Sequence, residues 1–374
     1  MQKDDKLLNK KDILNIIKAL AFERAPSGME KARGEIFKKE MAKLLIDKDI
    51  PIKSDALGNY YVRFKGTSTK KSIAILSHID EIGGTIRKIK KGGTLEFSKR
   101  GGYEGRWLIS QKVQILNKER KWINGIIAGR STHSTPAKLR AKEFIDPLEL
   151  EIFIGADSKE EVENDYNIHV GSPIVFSGEF GLMNAEVNDD VISGYSMDNL
   201  AALTCNIVLT EKILKNLINE FGIIKVPYNV YIVATTREEI GTEGALFFVK
   251  NNPIDTVIAI DIGLVAKSPG TVSSGIKLNK GPVIVWQDNQ GAGIYDYDLC
   301  EELAKVADKN KIAYQNGVFE KYASDAGKSQ KWLGIPSALI GIPTMFSHNV
   351  PEISTLSGIE NTAELIFQYL NNLK

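Results

Sequence analysis

The stretch KSIAILSHIDEIGG at residues 71–84 decides the fold, because an uninterrupted apolar run is followed at once by imidazole and carboxylate side chains. Such a run predicts a fully buried strand, of the kind found in parallel sheets that helices cover on both faces. Three later segments repeat the pattern: YNVYIVATTREE at 228–239, DTVIAID at 255–261 and PSALIGIPTMFSH at 336–348. Four apolar strands are therefore each followed by acidic or imidazole side chains.

Around these strands, helices and strands alternate in residues 1–87 and again in 191–374, which predicts one α/β domain with a mixed, mostly parallel sheet wrapped by helices. Residues 88–190 instead carry short runs rich in Val, Ile, Phe and Trp, punctuated by Gly, Pro and Asp. Such closely spaced strands predict a small inserted β-barrel or sandwich. We therefore expect 1–87 and 191–374 to be the two parts of the α/β domain and 88–190 to be a β-rich insert.

The composition is that of a globular protein of 374 residues, with 43% hydrophobic and 25% charged residues. The 48 Lys and Arg residues balance 47 Asp and Glu, so no net field attracts nucleic acid or an acidic membrane surface. No apolar run approaches the 18 residues of a membrane span, and no signal-peptide pattern opens the chain. The two cysteines, Cys205 and Cys300, are expected to pack in a core. Together these features predict a cytoplasmic protein without nucleic-acid or membrane partners.

Side chains that follow parallel strands meet at one edge of the sheet, where ligands bind in open α/β folds. The strand ends bring six candidate groups to that edge: His78, Asp80, Glu238, Glu239, Asp261 and His348. Asp198 precedes a predicted helix, and a lone aspartate there is more often a cap than a ligand. Two imidazoles and several carboxylates without cysteine are a donor set for Zn²⁺, Co²⁺ or Mn²⁺ in a hydrolytic site. The sequence lacks HExxH, P-loop and dinucleotide-binding motifs.

Several short motifs occur in an order and spacing that resemble one family over nearly the whole chain. They include APSGME at 25–30, DALGN at 55–59, SHIDEIGG at 77–84, SMDN at 196–199, REEIGTEGA at 237–245, SDAG at 324–327 and SHNVPE at 347–352. In this respect the chain resembles the M42 metallo-aminopeptidases, the glutamyl aminopeptidase or tetrahedral aminopeptidase group. The resemblance implies an α/β fold of the zinc-peptidase type.

The resemblance also implies two divalent metal ions per chain, zinc first, with cobalt or manganese as alternatives. One aspartate would bridge the two ions, and each ion would have two further protein ligands. The implied ligands are the bridging Asp198, then His78 and Asp261 for one ion, and Glu239 and His348 for the other.

In the family pattern Glu238 would be the general base, which takes a proton from water and passes it to the leaving amine. Asp80 would assist catalysis by fixing the tautomer of His78 through its second ring nitrogen. Glu352 would have the same role beside His348.

The chain departs from the family pattern near the expected site. Leu200 and Ala202 stand where the family usually has Arg and Gly, and Tyr322-Ala323 stands where it has Gly-Gly. Tyr322 and Asp325 are the candidate substrate-binding residues, and Tyr322 would narrow the pocket.

By resemblance, the substrates would be short peptides, and the protein would be a homo-oligomer, a dodecamer built from dimers through the insert. His133, within the insert, would either approach a neighbour's site or be an ordinary surface histidine. Two other functions use the same ligands: a metallo-deacylase acting on N-acyl amino acids, and a catalytically idle metal-binding assembly protein.

Overall fold

A computed structural model describes residues 7–68, 70–129, 133, 136–137, 145–219, 222–266 and 275–374. Its strands are β1 (Lys53–Ser54), β2 (Tyr60–Phe64), β3 (Lys71–His78), β4 (Gly83–Ile89), β5 (Leu95–Arg100), β6 (Lys112–Leu116), β7 (Trp122–Ile127), β8 (Glu151–Phe153), β9 (Pro173–Phe176), β10 (Gly181–Asn184), β11 (Asn188–Gly194), β12 (Tyr228–Thr235), β13 (Thr256–Val265), β14 (Val283–Asp288), β15 (Gly293–Ile294), β16 (Gln315–Phe319), β17 (Ser337–Met345) and β18 (Glu352–Thr355). Its helices are α1 (Lys10–Phe22), α2 (Lys31–Leu45), α3 (Gly105–Leu108), α4 (Lys159–Asn164), α5 (Met197–Asn216), α6 (Glu243–Asn251), α7 (Tyr297–Lys309), α8 (Asp325–Leu333) and α9 (Leu356–Asn372).

The larger sheet has the strand order β1-β2-β12-β3-β13-β17-β18-β11-β10, with β14, β15 and β16 joined to β17 through β14. Its central strands β12, β3, β13 and β17 run parallel to one another. On the two sides of this centre, β2 is antiparallel to β12, β18 is antiparallel to β17, and β11 is antiparallel to β18. The predicted mixed α/β sheet is thereby confirmed, with its parallel part in the middle.

The register of the parallel strands brings their carboxyl ends to one edge of the sheet. His78 lies opposite Thr235, the last residue of β12, and Leu76 lies opposite Ala259 in β13. Asp261 in turn lies opposite Gly341 of β17. The polar residues that end or follow these strands therefore emerge together, as the sequence predicts.

The second sheet is a closed, six-stranded antiparallel barrel in the order β4-β5-β8-β7-β6-β9. It has a hydrophobic core of its own, which includes Ile86, Phe97, Ile115 and Ile152. The predicted inserted β-barrel is confirmed. Its strands begin at β4 and end at β9, while β10, which falls within 88–190, and β11, which crosses residue 190, pair into the larger sheet.

Helix α5 lies under the larger sheet, and every residue from Met197 to Ile213 is buried. It packs most extensively against α9 and β13, and then against α1 and β3, so its first residues reach the edge where the strands end. Both cysteines are buried and free, in α5 and α7, as expected for packing residues. Helix α1 begins at a capping box, in which the Asn9 side chain accepts the N–H groups of Lys11 and Asp12.

Within the described part of the chain, no helix has both the length and the hydropathy that crossing a membrane would require.

Candidate metal centre

The edge where the strands end carries two groups of potential metal ligands that share one aspartate. In the first group, His78, Asp198 and Asp261 each offer a ligand atom within 4.8 Å of the other two. In the second group, Asp198, Glu239 and His348 do the same. Because Asp198 belongs to both groups, the arrangement can hold two ions bridged by one carboxylate.

Five separate elements deliver these side chains. His78 ends β3, Asp261 lies within β13, Glu239 follows β12, and His348 follows β17. Asp198 stands in the first turn of α5, where its φ of −81° and ψ of 95° are not helical. The sequence could place four of the five at this edge because buried strands precede them.

The Asp198 carboxylate faces both imidazoles. Its Oδ1 lies 3.0 Å from His78 Nε2, and its Oδ2 lies 3.3 Å from His348 Nε2. His348 Nε2 is also 3.5 Å from Glu239 Oε2. The interpretation of Asp198 as a helix cap is therefore wrong, because its carboxylate turns away from the helix toward the two rings.

Both imidazoles are oriented by backbone carbonyl groups at their Nδ1 atoms. His78 Nδ1 lies 3.1 Å from the carbonyl oxygen of Asp80, and His348 Nδ1 contacts that of Gly102. A carbonyl oxygen only accepts, so each Nδ1 carries a proton and Nε2 is the ring atom left to ligate a metal. Both Nε2 atoms face the Asp198 carboxylate, to which they can donate hydrogen bonds while no metal is bound.

The carboxylates of the site raise one another's pKa, because they are buried and close together. Burial and the neighbouring Asp198 raise the pKa of Glu239 to about 7, although His348 opposes the rise. Burial and Asp198 likewise raise the pKa of Asp261. For Asp198 itself, hydrogen bonds from the two imidazoles outweigh burial and lower its pKa. Positive charge placed among these groups would relieve the repulsion.

One potential metal-ligating atom of the site also lacks a hydrogen-bond partner. Glu239 Oε1 is buried and has no hydrogen bond within the described residues. A buried carboxylate oxygen without a donor is costly unless a cation balances it. Nitrogen and oxygen donors without thiolates, together with this atom, fit a borderline divalent cation such as zinc.

Asp80 and Glu352, which were predicted to contact the two histidine rings, accept hydrogen bonds mainly from backbone N–H groups. Asp80 accepts the N–H groups of Glu238 and Glu239, at 2.9 and 3.1 Å, and its Oδ1 is 3.5 Å from His78 Nδ1. Glu352 accepts the N–H groups of His348 and Asp198, at 2.8 and 3.2 Å, and so holds the backbone of two potential ligands.

Two residues near the site were not found by sequence reasoning. Arg33 and Glu81 form an ion pair of 2.8 Å in which both side chains are almost fully buried. Glu81 also accepts the N–H of Ala25 at 2.6 Å and the hydroxyl of Ser196, two residues before Asp198. The only signal in the sequence is that Glu81 closes the motif SHIDE.

An open cleft of about 760 Å³ leads to the two groups of potential ligands. Its lining includes Glu238, Tyr322, Trp107 and Phe346, besides every potential ligand except His78. The hydroxyl of Tyr322 donates to the carbonyl oxygen of Ile262 at 3.0 Å, which fixes the ring in the wall.

The structure does not bring every candidate residue to the cleft. Asp325 is buried, receives a 2.5 Å hydrogen bond from the hydroxyl of Thr235, and is not among the described residues that line the cleft. Leu200 and Ala202 are fully buried in α5. His133 is exposed in a turn.

Comparison with known proteins gives one consistent result. A family model described as M42 glutamyl aminopeptidase matches residues 58–365. The lysyl aminopeptidase of Pyrococcus furiosus is 28% identical, over 86% of this chain and 87% of its own. A TET aminopeptidase from a marine sediment Thaumarchaeota archaeon superposes with a TM-score of 0.87 at 27% identity, over 97% of each chain. The TET1 peptidase of Pyrococcus horikoshii, described as able to assemble into a tetrahedron or a large octahedral shell, gives 0.79 at 27% identity, over 96% of this chain and all of its own.

Proposed function

The chain belongs to the M42 glutamyl aminopeptidase family, and on that premise we propose that it removes N-terminal residues from short peptides with the help of two divalent metal ions. The observation that carries the proposal is the pair of ligand groups that share Asp198 and open onto the same cleft as Glu238. Three protein ligands for each ion leave positions open for water and substrate, which is the catalytic rather than the structural arrangement.

The five side chains of the two ligand groups would hold the ions, with Asp198 between them. We expect zinc first, with cobalt or manganese as alternatives, because the donors are imidazole nitrogens and carboxylate oxygens. Bound there, two such ions would polarise the scissile carbonyl and make a water molecule more acidic.

Glu238 is the proposed general base. It lines the cleft beside the ligands, and its side chain makes no hydrogen bond within the described residues. Burial and the nearby Asp261 and Asp325 raise its pKa well above the usual value, although His78 opposes the rise. A carboxylate with a raised pKa can take a proton from the attacking water and later release it to the amine nitrogen of the leaving peptide.

Asp80 would be a positioning residue in this scheme. Its two carboxylate oxygens accept the N–H groups of Glu238 and of the ligand Glu239. It also lies beside His78. This one buried carboxylate therefore contacts the proposed base and one proposed ligand of each metal ion. Substrate contact is assigned to Tyr322, which lines the cleft, in preference to Asp325.

The cleft favours substrates that carry a carboxylate. Lys99, Lys321 and Lys328 line it, and none of them forms an ion pair within the described residues. Lys328 lies in the first turns of α8, where the helix dipole disfavours a positive charge. A lysine at this position therefore does not serve to stabilise the helix. The family model is described as glutamyl aminopeptidase, whereas one relative is named a lysyl aminopeptidase. Membership of the family therefore does not determine which N-terminal residue is preferred.

We further propose that the protein is a homo-oligomer that works in the cytoplasm. The TET1 peptidase that it resembles is described as assembling into a tetrahedron or an octahedral shell. On the barrel and its loops, Trp107, Ile126, Leu148 and Phe153 are all about half exposed, which suits burial against further copies. Light scattering would separate a dimer from a dodecamer built of dimers.

The proposal is tested by a panel of aminoacyl and N-acyl substrates. The protein is stripped of metal and then restored with Zn²⁺, Co²⁺ or Mn²⁺, and release of the N-terminal residue is followed. Metal-dependent release from unblocked peptides is the expected result. Hydrolysis of N-acyl amino acids alone would indicate a deacylase, and bound metal without any turnover would indicate an idle assembly protein.

A further inference from the structure

We propose that Glu30 and Asn59 are positioning residues that, together with Asp80, fix the turn at residues 236–239 and so set Glu238 and Glu239 to their different tasks. The inference rests on the proposed function, in which the first is the base and the second a metal ligand. It also gives a task to two motifs, at 25–30 and 55–59, that contain none of the proposed ligands.

The turn at 236–239 needs acceptors from outside itself. Strand β12 ends at Thr235, so the following N–H groups no longer pair with the sheet. Thr236 is buried and the next three residues are partly buried, so an N–H without an acceptor is costly there. The conformation of the turn therefore depends on which side chains accept these hydrogen bonds.

Three side chains supply the acceptors, one N–H after another. The Thr236 N–H donates to Asn59 Oδ1 at 2.9 Å, and the Arg237 N–H donates to Glu30 Oε1 at 3.1 Å. The next two N–H groups donate to the two oxygens of Asp80, at 2.9 and 3.1 Å. Four consecutive N–H groups are thus bound by side chains from three distant parts of the sequence.

Glu30 accepts its hydrogen bond from the residue of the turn that has the least favourable backbone conformation. Arg237 has a φ of +56°, in the left-handed region that a residue with a long side chain rarely adopts. Its guanidinium points outward to Glu243, 2.9 Å away, so its side chain does not hold the backbone in place from within. The carboxylate of Glu30, itself only 7% exposed, accepts the N–H of this very residue.

The acceptors are themselves held in place. Glu30 Oε1 also accepts the N–H of Gly28 at 2.7 Å. The Asn59 amide donates to Asp55 Oδ2 at 2.7 Å and to the carbonyl oxygen of Gly244 at 2.9 Å. A Cβ at Gly244 would lie 2.5 Å from Asn59 Oδ1, so this close approach requires glycine.

The consequence concerns two adjacent side chains. Neighbouring side chains point in different directions only while the backbone between them keeps its conformation. A small displacement of this turn would move the base and a ligand together, and a misplacement of about 1 Å can cost roughly 10²-fold in rate.

The test compares Glu30→Ala, which removes the acceptor, with Glu30→Gln, which keeps an oxygen at the same place. The matched control is Asp255→Ala, because Asp255 accepts the N–H of Ser72 at 2.8 Å at the opposite end of β3. Each variant is measured for kcat and KM, for its thermal midpoint, and for the visible absorption spectrum of the cobalt-loaded protein.

We expect Glu30→Ala to lower kcat by roughly 10- to 100-fold while KM changes little, and to change the cobalt spectrum. Glu30→Gln should restore both the rate and the spectrum, and Asp255→Ala should leave both unchanged even if its thermal midpoint falls. The proposal is overturned if the glutamine variant fails as badly as the alanine variant, or if the alanine variant keeps the wild-type kcat and spectrum.

The spectrum separates this proposal from the proposed function. If the wild-type protein hydrolyses no peptide, the proposed function fails, yet the cobalt spectrum still reports the geometry around Glu239. An unchanged spectrum in Glu30→Ala would then overturn the positioning role.

Discussion

Replacing Glu238 by glutamine separates chemistry from structure, because the change keeps the shape of the side chain and removes only its ability to accept a proton. If Glu238 is the general base, kcat should fall by about 10²-fold or more. That loss corresponds to about 2.7 kcal/mol of transition-state stabilisation. KM should change little, because the remaining cleft is untouched.

The structure indicates that this loss would not come from unfolding. The Glu238 side chain makes no hydrogen bond within the described residues, so glutamine leaves no partner unsatisfied. The free energy of unfolding should change by no more than about 0.5 kcal/mol. In the metal-free protein the variant should be slightly more stable, because one of several mutually repelling carboxylates is gone.

The assay is steady-state release of an N-terminal residue at saturating zinc, with metal content measured on the same samples. Glu239→Gln is the informative neighbour: it should lose metal, while Glu238→Gln should keep two ions per chain. Glu301→Gln, an exposed change on α7, controls for loss of one negative charge. A kcat within threefold of wild type in Glu238→Gln would refute the assignment of the base.

Three further changes test other parts of the account. Asp198→Ala should lower metal content in both ligand groups, whereas His348→Ala should spare the group of His78; equal losses in the two variants would argue against a shared ligand. Arg33→Met leaves the buried carboxylate of Glu81 unpaired and should cost about 3–5 kcal/mol in urea unfolding, and a loss below 1 kcal/mol would contradict the importance of this pair. Lys328→Ala should lower kcat/KM for peptides that begin with glutamate, relative to leucine, by roughly fivefold at low salt. The exposed Lys331→Ala on the same helix serves as its control, and an unchanged ratio in Lys328→Ala would remove the lysines from substrate selection.

The sequence predicts the sheet and most of the site because the apolar runs and the polar candidate residues occur in the same segments. An apolar run such as SIAIL has only one stable place, inside a covered sheet, and the polar residues after it must then emerge at the edge. His78, Asp261 and Glu239 follow from this reasoning without knowledge of any partner. The closed barrel follows similarly from closely spaced short strands.

Asp198 shows where local reasoning ends. An aspartate before a helix has a common local role as a cap, and only the tertiary positions of His78 and His348 turn its carboxylate away from the helix. The resemblance to a family assigned it as a ligand, and in the structure it belongs to both groups of potential ligands. Residue patterns alone favoured the cap.

The contacts of Glu30, Asn59 and Glu352 could not be predicted for a related reason. Each side chain accepts backbone N–H groups from a segment more than 150 residues away, or from a loop whose conformation it helps to set. Backbone groups are the same in every sequence, so no residue pattern marks their partners. The strands β10 and β11 join the larger sheet through a similar long-range pairing.

The most direct test of the central claim is a titration of metal-free protein with zinc, in which bound metal and peptide hydrolysis are measured on the same samples. The account predicts no hydrolysis without metal and a rise in activity that levels off at two ions per chain. Full activity in the metal-free protein would contradict it, and so would two bound ions per chain with no hydrolysis of any peptide.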